Sequence, residues 1–128
     1  MTISPYATLL NIEVIEVANG TARVQAEVRD VHTNHFGFAH GGFINSIADF
    51  ALELASNSHG VSAVALTTNT QYHRPAPIGM VLEATAQETH LGKTTATYHI
   101  QITAKGKRIA SFTGTVYRKP TDNPQEHQ

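Results

Sequence analysis

Residues 43–55 carry apolar side chains at almost every angle of a helix. At about 100° per residue, Ile44, Ile47, Ala48, Ala51, Leu52, Leu54 and Ala55, with Phe43 and Phe50, cover most of the circumference. Asn45, Ser46, Asp49, Glu53 and Ser56 are left with a narrow polar stripe. A helix of that kind is stable only when other elements enclose it on nearly all sides, and any carboxylate on it must be paired or functional. The chain has 128 residues, a length suited to one domain, so the enclosure has to come from the segments on either side.

Those segments read as strands. Residues 12–17 are a β-branched run, Asn19-Gly20 is a turn, and Ala22, Val24, Ala26 and Val28 then alternate with Arg23, Gln25 and Glu27, which predicts a hairpin with one buried face. After a helix stop at Asn57-Ser58-His59-Gly60, four runs follow: residues 62–73, 80–91, 94–104 and 107–119. They are separated by Pro75-Ala76-Pro77-Ile78-Gly79, Gly92-Lys93 and Lys105-Gly106. Ala96, Tyr98, Ile100 and Ile102 alternate with Thr95, Thr97, His99 and Gln101 as in half-buried strands.

Consecutive runs with such short gaps predict a four-strand meander. Ser4-Pro5 opens a short helix through Leu10, with Ser as the cap and Pro where its missing N–H is not needed. The order ββαββββ predicts an α+β protein in which one antiparallel sheet wraps around one long central helix. That single domain is expected over residues 1–119, followed by a polar tail, residues 120–128, expected to be disordered. Such a sheet leaves an edge open, and two subunits pairing edge to edge would close both.

Composition removes several classes of function. With no cysteine there is no disulfide, thiolate nucleophile, iron–sulfur cluster or cysteine-bound zinc. Residues 1–10 hold no Lys, Arg or signal-like apolar core, and the longest uncharged stretch, residues 54–73, is too rich in Ser, Thr, Asn, Gln and His to cross a bilayer. A cytoplasmic location and no membrane partner are expected.

The net charge of -1 hides an asymmetry. Residues 1–73 set Arg23 and Arg29 against Glu13, Glu16, Glu27, Asp30, Asp49 and Glu53, whereas residues 74–119 set seven bases against Glu83 and Glu88. A basic second half suits an anionic ligand, or serves to keep exposed strand edges from aggregating. No Lys/Arg cluster interleaved with aromatics is present, so no nucleic-acid partner is expected.

Residues 30–42 follow neither period and read as a loop. Gly41 and Gly42, just ahead of the helix, leave bare N–H groups at its positive end, where an oxyanion or phosphate would bind; equally, they let the loop enter the helix without a Cβ clash. Asp49, about two turns in, is a candidate base or nucleophile, or else a core carboxylate held by hydrogen bonds. Glu53 falls on the same face, where it either raises a neighbouring carboxyl pKa or reaches solvent.

Asn34-x-x-Gly37-x-x-His40-Gly41-Gly42, then Ile47-Ala48-Asp49, then Tyr72-His73-Arg74-Pro75-Ala76 resembles the hotdog-fold acyl-CoA thioesterases of the phenylacetate-degradation (PaaI) type, over about residues 6–118. The resemblance implies that Asp49 attacks the thioester carbonyl or activates water, that the Gly41 N–H binds the thioester oxygen, and that Asn34 orients water or the carboxylate. Relatives often place a hydroxyl residue near the carboxylate on the strand after the helix, and Thr67 is the match. It also implies a site between two subunits, a homodimer or a tetramer of paired dimers, acyl-CoA as the bound partner, and neither metal nor other cofactor.

His40 and Gly42, beside the oxyanion donor, and Arg74 and Lys93 are the expected substrate-binding residues. For the CoA phosphates, Lys105, Lys107 and Arg108 are further candidates, with ordinary turn charges as the alternative. Thr68 and Thr70 replace residues that are apolar in many relatives, and Glu53 one that is often small; both changes would reshape the acyl pocket.

Other chemistries fit less well. His32, His35 and His40 share a loop but lack a third fixed ligand for a metal. Ser46 lies inside the helix with no Gly-x-Ser-x-Gly elbow around it. A non-catalytic acyl-CoA binding module on the same fold is the competing reading, and the joint presence of Asn34, Gly41 and Asp49 favours hydrolysis. Whether the acyl group is aromatic or a medium-length alkyl chain depends on the packing of Phe36, Phe38, Phe43, Leu54 and Tyr72.

Overall fold

The computed structural model of the chain describes residues 4–119, and the tail at residues 120–128 lies outside them. A short helix α1 (Pro5–Leu9) leads into the hairpin β1 (Glu13–Ala18) and β2 (Thr21–Glu27). A single 3₁₀ turn (Asp30–His32) interrupts the loop before the long helix α2 (Gly41–Asn57). Four strands follow: β3 (Ser62–Tyr72), β4 (Val81–Leu91), β5 (Thr95–Ala104) and β6 (Lys107–Lys119).

Local chemistry accounts for the boundaries. Ser4 Oγ accepts the Ala7 N–H, and Pro5 occupies the first turn of α1. Gly20 turns the β1–β2 hairpin at φ 77°, a conformation that favours glycine. α2 begins at Gly41, so both glycines are helical rather than part of the loop, and His40 caps it with an extended backbone.

Phe43, Ile44, Ile47, Ala48, Phe50 and Ala51 are among its buried residues, as the apolar circumference requires. At Gly114 on β6, a Cβ would stand 2.7 Å from a Leu52 methyl, so the absence of a side chain there is what lets helix and sheet approach.

The six strands form one antiparallel sheet in the order β1-β2-β4-β5-β6-β3, wrapped around α2. One antiparallel sheet around one long helix is the hotdog arrangement. The expected four-strand meander is corrected: only β4, β5 and β6 form one. β3 crosses to the far edge and pairs with β6.

The physical reason lies in the connection after β3. Pro75 and Pro77 supply no N–H and do not suit a tight hairpin turn. The segment instead runs across the end of the sheet, tied by Ala39 N–H to the Ala76 carbonyl and by Gly79 N–H to the Val28 carbonyl, each at 2.8 Å. β3 therefore forms an edge of the sheet, with Val64 64% and Leu66 56% exposed.

Candidate active site

The loop before α2 is organised by Asn34. Its side-chain oxygen accepts the N–H groups of Phe36 at 2.9 Å and Phe38 at 3.2 Å, while the Asn34 carbonyl accepts the Gly37 N–H. The Asn34 amide NH2 remains as a donor. At the helix start, His40 Nδ1 accepts the Gly42 N–H at 2.9 Å, and the His40 carbonyl accepts from Phe43 and Ile44.

His40 and Gly42 thus satisfy each other, as a cap does, and Gly42 has no donor left for a substrate. Gly41 is different. Among the described residues its N–H has no acceptor, while its carbonyl is held by the Tyr72 hydroxyl at 3.1 Å. The Tyr72 ring lies close enough that a Cβ on Gly41 would be 3.3 Å from it. The result is one fixed, unspent N–H at the positive end of a 17-residue helix.

Asp49 and Glu53 lie one turn apart on α2 and line a groove of about 530 Å³ between α2 and β3, together with Leu52, Val116, Ala63 and Ala65. Neither carboxylate accepts a hydrogen bond from a described residue. Solvent reaches Asp49 in the single chain, yet loss of water to the apolar surroundings raises its carboxyl above the ordinary 3.8. Glu53 is raised as well, first by burial and then by the charge of Asp49. The alternative of a core carboxylate held by hydrogen bonds therefore does not describe Asp49.

The structure places Thr67 on the face of the sheet away from α2. An irregularity between Ala65 and Thr67 shifts the register by one, so Thr67 lies opposite Thr115 while Thr68 lies opposite Gly114, whose neighbour is Leu52 on the helix. Thr70, two residues further on, donates to Asn45 Oδ1 of α2 at 2.7 Å. Thr68, like Thr70, is thus a hydroxyl residue on the helix side. No sequence spacing shows a bulge of this kind, so the strand's alternation alone could not identify the face.

Asn34, Gly41, Tyr72 and Arg74 line a second cavity, of about 340 Å³, separate from the Asp49 groove. Arg74 and Pro75 also belong to an adjoining cavity of similar volume that includes Lys105 and Lys107. Lys93 is not brought to this group. It occupies the β4–β5 turn, at the other end of β5 and about 30 Å away along the strand. Among the described residues no set of three His, Asp or Glu side chains could hold a metal, and no helix is long and apolar enough to cross a membrane.

With this geometry established, comparison with known proteins is informative. Residues 36–120 match the thioesterase superfamily. The chain belongs to that superfamily. The acyl-coenzyme A thioesterase PaaI of Escherichia coli is 38% identical over 113 residues, covering 88% of this chain and 81% of that protein.

Among solved structures, a variant of the phenylacetic acid degradation protein PaaI from Thermus thermophilus superposes with a TM-score of 0.89 at 44% identity, covering 91% of this chain and all of that one. A Streptococcus mutans protein solved with acetyl CoA bound gives 0.83 at 29% identity over 88% of this chain and 92% of its own.

Proposed function

We propose that this thioesterase-superfamily chain hydrolyses an acyl- or aryl-acyl-CoA to the free acid and CoA, at a site shared by two subunits. The observation that carries the proposal is where the two half-sites lie. The Gly41 cavity is at the Tyr72 end of β3, the Asp49 groove is at its Ser62 end, and among the described residues the outer edge of β3 has no strand beside it. Two copies of β3 paired antiparallel about a two-fold axis would lay the Tyr72 end of one against the Ser62 end of the other.

The Gly41 N–H of one chain then faces Asp49 of the partner subunit. A dimer is the smallest complete unit, and a tetramer would pair two of them. The same pairing carries Lys93 towards the end of the sheet where Arg74 of the partner subunit lies, which gives both predicted phosphate contacts a place.

In the reaction, the thioester oxygen accepts from the Gly41 N–H. Asp49 either attacks the carbonyl carbon or takes a proton from the water that does. Its raised pKa makes it a stronger base than an ordinary aspartate. Negative charge builds on the oxygen facing the helix N-terminus, where one donor is worth about 10²–10³ in rate. The carbon–sulfur bond breaks and CoA leaves as the thiolate and takes up a proton; the acid is then released directly where water attacked, or after a water molecule hydrolyses the acyl–Asp49 anhydride where Asp49 attacked. Asn34, with its oxygen engaged in the loop, has its NH2 available to orient water or carboxylate.

Release of free CoA from a panel of aryl- and alkyl-acyl-CoAs tests the activity. Turnover that falls by about a hundredfold or more in Asp49→Asn is the expected result. Acyl-CoA raising Tm without any CoA release would establish the binding module instead.

Gly41→Pro removes the donor and keeps the helix start, because Gly41 is the first helical residue and His40 already has the extended conformation that precedes proline; Gly41→Ala, which keeps the N–H and brings the same Cβ against the Tyr72 ring, is the control for that contact. Asp49→Asn and Gly41→Pro should each be inactive, whereas chains of these two variants refolded together should recover about a quarter of wild-type activity, since half the dimers are mixed and each holds one intact site. No recovery would place the whole site within one chain.

A further inference from the structure

The wall of the Asp49 groove accepts hydrogen bonds but has little to donate. Beyond Asp49 and Glu53, its polar side chains are Ser56, Asn57 and Ser62. Both hydrogens of the Asn57 amide are engaged, on the Glu53 carbonyl at 2.9 Å and the Ala63 carbonyl at 3.2 Å, and its oxygen accepts the Ala63 N–H at 3.0 Å. The Ser56 hydroxyl donates to the Glu53 carbonyl at 3.3 Å. Ser62 stands exposed at the start of β3.

Among the described residues of the same chain no Lys, Arg or His lines this groove, whereas Arg74, Lys105 and Lys107 surround the cavity at the other end of the molecule. Asp49 is required for the proposed chemistry. Glu53 is not, and it adds a second negative charge one helical turn away along the same wall.

We propose that Glu53 determines acyl specificity, barring acyl groups whose far end is anionic and admitting those that end in a neutral group or a hydrogen-bond donor. A terminal carboxylate entering this groove would lose water, find no free side-chain donor in the wall apart from the rim hydroxyl of Ser62, and approach a like charge, and the outward N–H groups of β3 are taken up by the partner's β3 in the proposed pairing. A methyl, phenyl or hydroxyl terminus meets none of these penalties, and a hydroxyl can donate to Glu53. This rests on the thioesterase reading for the position of the acyl group, and concerns only which acyl groups the site selects.

The test compares matched substrates that differ by one terminal carboxylate, hexanoyl-CoA and adipyl-CoA, on the full-length wild type, Glu53→Gln and Glu53→Ala. The quantity read is the ratio of the two kcat/KM values, which a change that slows both substrates alike leaves untouched. Wild type should favour hexanoyl-CoA by about tenfold or more, and both variants should shrink that preference by about the same factor, chiefly through KM for adipyl-CoA.

A ratio unchanged in both variants overturns the proposal, while hydrolysis of hexanoyl-CoA by wild type would leave the thioesterase reading standing. If wild type turns over neither ester, the thioesterase reading is decided by the wider panel of aryl- and alkyl-acyl-CoAs. Selectivity is then read from binding of the inert thioethers S-hexyl-CoA and S-(5-carboxypentyl)-CoA, where equal affinities in wild type and variants overturn the role of Glu53.

Discussion

Asp49 and Glu88 are both carboxylates held against the framework of helix and sheet, and they are treated in opposite ways. Glu88 Oε2 accepts from the buried Tyr98 hydroxyl at 2.7 Å and from His59 Nε2 at 2.6 Å. The Glu88 backbone bonds to Gly20, whose own N–H is held by Ser58 at 2.8 Å. One carboxylate thereby joins the end of α2, the first hairpin and the β4–β5 pair.

Burial alone would raise the Glu88 pKa, but the hydrogen bonds from Tyr98 and His59, together with the charges of His59 and Arg118, lower it overall. Asp49 has burial and no such partners, and its pKa rises. The difference teaches how to separate structure from chemistry here. A carboxylate whose lone pairs are filled by its neighbours holds the fold, and one left with unfilled lone pairs beside an apolar wall is available to react.

The largest effect that would break this contrast is on turnover. Asp49→Asn should cost about two or more orders of magnitude in kcat and yet leave Tm unchanged or higher. The sign follows from the raised pKa: above it, the ionised carboxylate costs the folded state stability, a cost absent below the unfolded value of 3.8 and removed at neutral pH by the amide. A large loss of Tm would mean that Asp49 is structural.

Glu88→Ala should do the reverse, costing about 1–3 kcal/mol in denaturant unfolding by stranding the Tyr98 hydroxyl, with kcat close to wild type. The two carboxylates should also separate with pH. Glu88 contributes stability that is complete above its unfolded pKa of 4.5 and is lost as pH falls through its lower folded value, so the variant's stability should vary less with pH in that acid range.

Activity depends on ionised Asp49, so kcat/KM should fall on acidification around an apparent pKa above 3.8, with the wild type still folded. The smallest effect expected is at the helix cap. His40→Ala should cost about 0.5–2 kcal/mol of stability by freeing the Gly42 N–H, measured by the same unfolding experiment. An unchanged stability would return His40 to the list of substrate contacts.

The elements that were legible in the sequence are those set by local pattern. The apolar circumference of α2, the Ser4-Pro5 helix start, the Asn19-Gly20 turn and the bounds of β6 each depend on residues within a few positions of one another. The Asn34, Gly41 and Asp49 motif is compact in sequence, but the single chain sets its members in two separate cavities, so their joint role belongs to the proposed pairing of subunits.

What the sequence hid depends on contacts far apart in the chain. β3 pairs with β6 rather than with its neighbour β4 because two prolines carry the connection across the molecule. The bulge between Ala65 and Thr67 exchanges the faces of Thr67 and Thr68, and nothing in the alternation of Ala, Leu and Thr along β3 reveals it. His59, Glu88 and Tyr98 come from three separate elements, so no spacing could assemble them. His40 and Gly42 carried the same signal as Gly41, and only the ring orientation shows that the first two satisfy each other.

The scarcity of donors in the groove beside Asp49 also bears on what happens after the bond is cut. Hydrolysis turns a neutral thioester into a free acid that ionises next to two carboxylates, and on their wall no cation and almost no free side-chain donor offsets the repulsion, which leaves the Gly41 N–H and the Asn34 amide to hold it. The surface that tolerates the substrate repels the product. Under the proposed chemistry the acid leaves readily and rebinds poorly, so accumulated acid inhibits little and the groove works as a one-way exit.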